Sequence, residues 1–213
     1  MDSSDILESF LAGKYQRMEC PQCENTFLTK VYMMGADTPP LGCPRSKTDS
    51  TTDKETGREF VILEKYALGL EYFCDAIQTY GLTQIPLIRR IGILNDDDEP
   101  LDPARIQLFS HEEPDYRLIY VMERLEHLNA EDTAFFTDHV HDIDWMEEHD
   151  RQRVWQWVAD RYGQPLAEDI RKLCRYYRVH DEYVSWDLHG DNLMRRTRNG
   201  EIVVMDPFTL KFG

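Results

Sequence analysis

The sequence predicts an α+β protein in two lobes, a small mixed lobe over residues 1–127 and a compact helical lobe over residues 128–213. Three observations carry that expectation. Strand-like runs at residues 26–34, 85–94 and 116–122 cluster in the first part around one long helical pattern. From Leu128 onward apolar residues recur almost entirely at helical spacing. The chain has 213 residues, 41% apolar and 11% aromatic. At that length roughly 70% of the unfolded surface can be buried, so a substantial core is expected.

The charge balance narrows the function. Forty acidic against twenty-four basic residues give a formal charge of −16. Such a field repels nucleic-acid phosphates, which argues against direct nucleic-acid binding, and it attracts basic protein surfaces. No apolar run approaches the ~20 residues of a membrane helix, so no membrane association is expected. The opening Met1-Asp2-Ser3-Ser4-Asp5 is acidic and lacks the basic start and apolar stretch of a secretory signal, so the expected location is the cytoplasm. Five cysteines in such a chain point to reduced thiols or a metal site in preference to a disulfide framework.

In chain order, Ile6, Leu7, Phe10 and Leu11 have the spacing of a short opening helix. Cys20-Pro21-Gln22-Cys23 precedes a strand and has the form of half a zinc ribbon. Cys43 is a third candidate zinc ligand, but Ser46 stands where a second knuckle needs its last cysteine, so unligated thiols remain the alternative. Residues 43–57 are polar and read as an exposed insertion. Thr52-Asp53-Lys54-Glu55 has capping-box spacing, and Phe60, Leu63, Ala67, Leu70, Cys74 and Ile77 follow at helical intervals. This predicts one amphipathic helix over residues 58–80, with Glu64 and Glu71 on one edge. Then come a strand over residues 85–94, an acidic turn at Asp96, Asp97 and Asp98, and the clearest strand of the chain at residues 116–122.

In the second part, Phe135, Phe136, Val140, Ile143 and Met146, then Val154, Trp155, Val158 and Tyr162, mark one or two helices. Leu166, Ile170, Leu173, Cys174 and Tyr177 mark another. His139, His141 and His149 lie among acidic residues, yet no pair has the i, i+4 spacing of a helical zinc site, which favours a solvated face.

The chemistry concentrates in Ser185-Trp186-Asp187-Leu188-His189-Gly190-Asp191-Asn192 and in Asp206, which closes the apolar run Ile202-Val203-Val204-Met205. The pattern is D-x4-N-x13-D. Phosphoryl transfer needs this set: a carboxylate to orient or deprotonate the attacking hydroxyl, and an amide with a second carboxylate to hold Mg²⁺ against nucleotide phosphates. The alternative is that these side chains merely cap turns and end a strand.

The loop and the hairpin that delivers Asp206 resemble the catalytic and metal-binding loops of the protein kinase-like superfamily. Within it, Asp187-Leu188-His189 and Asp206-Pro207 are similar to the early serine/threonine kinases of podoviral coliphages. His189 also resembles the histidine of aminoglycoside-type small-molecule kinases. The resemblance implies a two-lobed kinase-like fold with a truncated helical C-lobe, ATP and Mg²⁺ as cofactors, and Asn192 and Asp206 as metal ligands. It implies that Asp187 is the catalytic carboxylate and that Lys30 is the third-strand lysine that grips phosphate. Glu71, or else Glu64, becomes the partner of that lysine. Tyr120-Val121-Met122-Glu123-Arg124-Leu125 resembles the last small-lobe strand and hinge, with backbone groups of Glu123 and Leu125 on the adenine edge.

Three departures bear on the function. Gly13 is the sole glycine ahead of Lys30, so a glycine-rich phosphate cradle is missing. Ser185-Trp186 replaces the usual His-Arg or His-Gly. Seven residues follow Asp206, so the resemblance implies that the peptide-substrate platform comes from elsewhere or from a partner. Two functions are therefore expected to compete. One is ATP-dependent phosphotransfer by a phage-type serine/threonine kinase to a host protein. The other is an inactive or weak kinase-fold acidic protein that binds and inhibits a host target. Small-molecule phosphorylation is a third reading, weakened by the lack of further C-terminal helices.

Overall fold

Phe60-Val61-Ile62-Leu63 is a strand, where apolar spacing alone predicts the opening turns of a helix. Val61 and Ile62 are β-branched and stiff at χ1, which favours extended backbone. Ladders on both sides then satisfy the strand's backbone groups, a tertiary gain that periodicity cannot register. The computed structural model describes residues 15–19, 26–30, 51–52, 59–65, 68–110 and 114–211. The opening-helix expectation at residues 5–12 lies outside them, as do Cys20, Cys23 and Cys43.

The elements in chain order are β1 (Tyr15–Glu19), β2 (Thr26–Lys30), β3 (Thr51–Thr52), β4 (Glu59–Lys65), α1 (Gly69–Tyr80), β5 (Ile88–Leu94), β6 (Arg117–Glu123) and β7 (Leu125–His127). They continue with α2 (Ala130–His139), α3 (Glu148–Tyr162), α4 (Gln164–Val179), β8 (Val184–Trp186), β9 (Leu193–Arg196), β10 (Ile202–Val204) and β11 (Phe208–Leu210). The protein is thus mixed α+β, with antiparallel sheets. No helix among the described residues is long and apolar enough to cross a membrane.

The chain divides into two compact units. One takes residues up to Tyr66 with Leu87–Ile106 and Pro114–Glu126; the other takes Ala67–Pro86, Gln107–Glu113 and His127–Gly213. The helix expected over residues 58–80 is therefore corrected to α1 alone, and α1 clusters with the second unit.

In the first unit the strand order is β1-β2-β4-β6-β5, with β3 paired to β4. β4 runs against β6 from Phe60↔Glu123 to Lys65↔Leu118. β5 pairs with β6 through a register shift between Arg90 and Gly92. Leu118, Ile119 and Tyr120 are buried. Arg117 is buried beside them and donates to Asn95 O at 2.5 Å and Asp98 Oδ1 at 2.6 Å, which ties the acidic turn to β6.

In the second unit α1 begins at Gly69 and is capped after Tyr80 by Gly81, whose left-handed φ of 60° lets its N–H return to Ile77 O at 2.9 Å. Tyr176 on α4 donates to Asp75 Oδ2 on α1 at 2.6 Å. The apolar stripe of α4, including Leu166, Ile170 and Leu173, is fully buried, as the 3.6-residue period requires. Asp169, also buried on α4, accepts from the N–H groups of Thr83 and Gln84, both at 2.6 Å. Gln84 O in turn accepts from Val204 N–H at 2.9 Å, so α4 braces the strand that leads to Asp206.

Candidate active site

Two short ladders hold the loop. β8 pairs with β11 in the register Phe208↔Trp186, and the ladder extends one step by Asp187 N–H to Pro207 O at 2.9 Å. β9 pairs with β10 in the register Val204↔Leu193, and this ladder extends by Met205 N–H to Asn192 O at 2.9 Å. Asp187 thus stands opposite Pro207 and Asn192 opposite Met205, so the two ladders bracket Asp206 from both chain directions. Leu188, between Asp187 and His189, is buried and anchors the loop from below. Trp186 donates its indole N–H to Val140 O at 3.2 Å.

Gly190 carries a steric requirement. Its N–H donates to Thr137 Oγ1 on α2 at 3.1 Å. A Cβ at this position would lie 2.6 Å from Thr133 Cα and 2.7 Å from Thr133 C, and closer still to that residue's carbonyl oxygen. Only glycine lets the loop approach the helix backbone so closely.

Within the loop, Asn192 Nδ2 donates to Asp187 O at 2.7 Å and to Asp187 Oδ2 at 3.2 Å. Both partners are acceptors, which sets the amide orientation. Asn192 Oδ1 has no partner among the described residues, so the amide presents its oxygen. His189 Nδ1 accepts from Asp191 N–H at 3.3 Å, and its Nε2 lies 3.2 Å from Asn192 Nδ2. Nε2 stands 3.9 Å from Asp187 Oδ1. The His141 ring lies 5.8 Å from that of His189, and His141 Nδ1 is buried without a hydrogen-bond partner.

The electrostatics follow from this packing. Burial holds the Asp187 carboxyl above the usual carboxylate range, and the Asp206 charge adds to the effect; His189, the Asn192 hydrogen bond and His141 oppose it. A carboxylate so placed is a stronger base than one in water. The Asp187–Asp206 repulsion is also what a cation between them relieves. The donors are hard oxygens, the type that suits Mg²⁺. Among the described residues no group of three or more His, Cys, Asp or Glu side chains is poised for a metal. Mg²⁺ in nucleotide sites uses one or two carboxylates, with phosphate oxygens and water completing its shell. Asn192 and Asp206 fit that demand.

The amino end of α1 belongs to the same surroundings. A Cβ at Gly69 would stand 3.3 Å from Phe208 C and 3.7 Å from Asp206 Oδ1, so α1 abuts the Asp206-Pro207-Phe208 backbone. Glu71, expected as the lysine's partner, lies in the first turn of α1 and is buried. Glu64 lies on β4, not on the helix, which removes the shared edge expected for the two glutamates. Lys30 ends β2, and its side chain lies outside the described residues. Glu123 ends β6, where its N–H donates to Leu87 O at 2.8 Å and its Oε1 accepts from Leu87 N–H at 2.9 Å. Leu125 opens β7 and is buried.

Lys65 ends β4, the last described strand before α1. One residue beside the loop has a place that its sequence context does not signal. His141 was grouped with His139 and His149 on one solvated face, yet it sits in the turn after α2, beside His189. His139 instead packs edge-on against Phe135 at 5.1 Å, and His149 meets Asp150 at 3.3 Å. No protein-family model matches the chain, and no curated protein sequence matches it.

Proposed function

We propose that the chain is an ATP-dependent phosphotransferase with a two-lobed, protein kinase-like architecture, acting on a protein serine or threonine. The observation that carries this reading is the convergence of Asp187, Asn192 and Asp206 on adjacent ladder positions, with the Asn192 amide oxygen unpartnered among the described residues. Asp187 orients the acceptor hydroxyl and takes up its proton, a role that its raised basicity favours. Asn192 Oδ1 and Asp206 are the protein ligands for Mg²⁺. The ion, when bound, neutralises charge on the β- and γ-phosphate oxygens. His189, whose Nε2 stands 3.9 Å from Asp187 Oδ1, faces that carboxylate and steadies its ionised form. Catalysis by such a site comes from positioning and charge, with little covalent chemistry asked of the protein.

The resemblance places the phosphate-gripping lysine on the third strand, immediately before the regulatory helix. Among the described residues β4 is the third strand longer than two residues and the last before α1, so Lys65 joins Lys30 as a candidate for that role in our reading. The backbone at Glu123 and Leu125 is the proposed adenine contact. The likeness to the coliphage kinases makes a host protein the substrate class and the host cytoplasm the place of action.

A second reading has one observation in its favour. The charge of −16 suits an acidic, catalytically weak kinase-fold protein that binds and inhibits a basic host target. Thermal unfolding with millimolar Mg²⁺-ATP separates the two. A ligand present at 100 times its Kd stabilises by about 2.7 kcal/mol, and for a 213-residue chain each kcal/mol moves Tm by roughly 2–4 °C. The phosphotransferase reading requires a clear upward shift that Asp206→Asn removes. An unmoved Tm at millimolar nucleotide favours the inhibitor.

A further inference from the structure

The exposed side of α4 is basic in a protein that is otherwise strongly acidic. A cavity of about 450 Å³ between α3, α4 and the end of α1 is lined by Arg151, Arg171, Lys172, Arg175 and Arg178 against only two carboxylates, Glu148 and Glu168. None of its lining residues belongs to the Asp187 site.

The internal contacts show what this cavity recognises. Arg171 grips Glu168 with two donors, Nε at 3.0 Å and Nη2 at 2.8 Å. Arg151 donates to Glu148 Oε2 at 2.6 Å and to Met146 O. Lys172 stands 3.6 Å from Asp169 Oδ1 and 3.3 Å from Gly81 O. These three cations are spoken for. Arg175 has its guanidinium 5.7 Å from the Tyr80 ring centroid, and neither Arg175 nor Arg178 makes a hydrogen bond or a close ion pair with a carboxylate or carbonyl among the described residues, although the Arg178 charge reaches Glu148. The indole N–H of Trp155, another lining residue, is shielded from solvent without a hydrogen-bond partner.

We infer that this cavity is a docking site for an acidic peptide segment of a partner protein, with Arg175 and Arg178 receiving its carboxylates. The guanidinium fork matches carboxylate geometry, and the same cavity already holds Glu168 in that manner and Glu148 through one donor. The volume suits a few side chains of one extended segment. A short segment with two or three carboxylates gains these contacts locally, whereas a long polyanion meets repulsion from the rest of a −16 surface.

Fluorescence anisotropy of a fluorescein-labelled hexa-aspartate peptide, titrated with the full chain at low salt, tests the inference. The expected result is saturable binding that weakens as salt rises and falls at least about tenfold in the Arg175→Gln/Arg178→Gln double variant, about the loss of one charge-assisted hydrogen bond. Both side chains are exposed, so the variant should keep the wild-type Tm. Hexa-asparagine should not bind. Equal affinity of the double variant, or no saturable binding by the wild type, overturns the inference. Tighter binding of a six-nucleotide single-stranded DNA through the same two arginines overturns it in favour of a nucleic-acid site. Because the readout needs neither ATP nor Mg²⁺, its outcome is independent of the phosphotransferase reading.

Discussion

Replacing Gly190 with alanine strikes at the device that positions the candidate site. The added methyl would stand 2.6–2.7 Å from Thr133 Cα and C, where carbon atoms in contact are normally about 3.5–4.0 Å apart. The obstacle is helix backbone, so no rotamer change relieves it, and the loop must retreat from α2 by about 1 Å. Overpacking of this kind costs about 1–3 kcal/mol. At roughly 2–4 °C per kcal/mol, Tm should fall by about 4–8 °C for a mid-range cost of about 2 kcal/mol. The retreat also strains the Gly190 bond to Thr137 and displaces Asn192, two residues further on. Scanning calorimetry of wild type and Gly190→Ala, each with and without Mg²⁺-ATP, should therefore show a lower Tm and a smaller nucleotide shift in the variant. An unchanged Tm together with an unchanged nucleotide shift would refute the claim that α2 sets the loop.

Other perturbations have directions set by the structure. Burial and Asp206 raise the Asp187 pKa in the fold, so its charge opposes folding at neutral pH. Asp187→Asn should raise Tm in Mg²⁺-free buffer at pH 7, and the advantage should vanish as the pH falls and the wild-type carboxyl protonates. Asp132 behaves in the opposite sense. Burial pushes its pKa up, but hydrogen bonds from Tyr162 and Arg161 and the charge of Arg195 bring it below the usual value. Asp132→Asn should therefore cost stability at pH 7, and the difference should shrink as acid titration passes below the ordinary carboxylate range. Asp169→Ala removes the acceptor of the Thr83 and Gln84 N–H groups and should cost about 2–4 kcal/mol, read as a lower urea midpoint at unchanged slope. Lys65→Ala should abolish Mg²⁺-ATP stabilisation while Lys30→Ala leaves it; the reverse pattern returns the phosphate contact to β2.

Much of the second unit was legible in the sequence because its helices are held by apolar period. Leu166, Ile170 and Leu173 repeat at helical spacing, and all are buried on α4. The hairpin delivering Asp206 was legible from the short apolar run Ile202-Val203-Val204 after a turn. The segment ahead of α1 was not. Phe60, Leu63 and Ala67 fit a helical stripe, and the β-branched Val61 and Ile62 with the ladders to β2 and β6, distant in sequence, decide for a strand. The spacing D-x4-N-x13-D marked the candidate residues, but not what holds them. The Gly190–Thr133 approach and the place of His141 beside His189 join segments about fifty residues apart, and no local pattern encodes them.

The most direct test of the central claim is transfer of the γ-phosphate from radiolabelled ATP, in the presence of Mg²⁺, to serine and threonine residues of host protein extract by wild type and by Asp187→Ala. The account predicts Mg²⁺-dependent labelling by the wild type and none above background by a variant that calorimetry shows to be folded. Undiminished labelling by Asp187→Ala would contradict the assignment of the site.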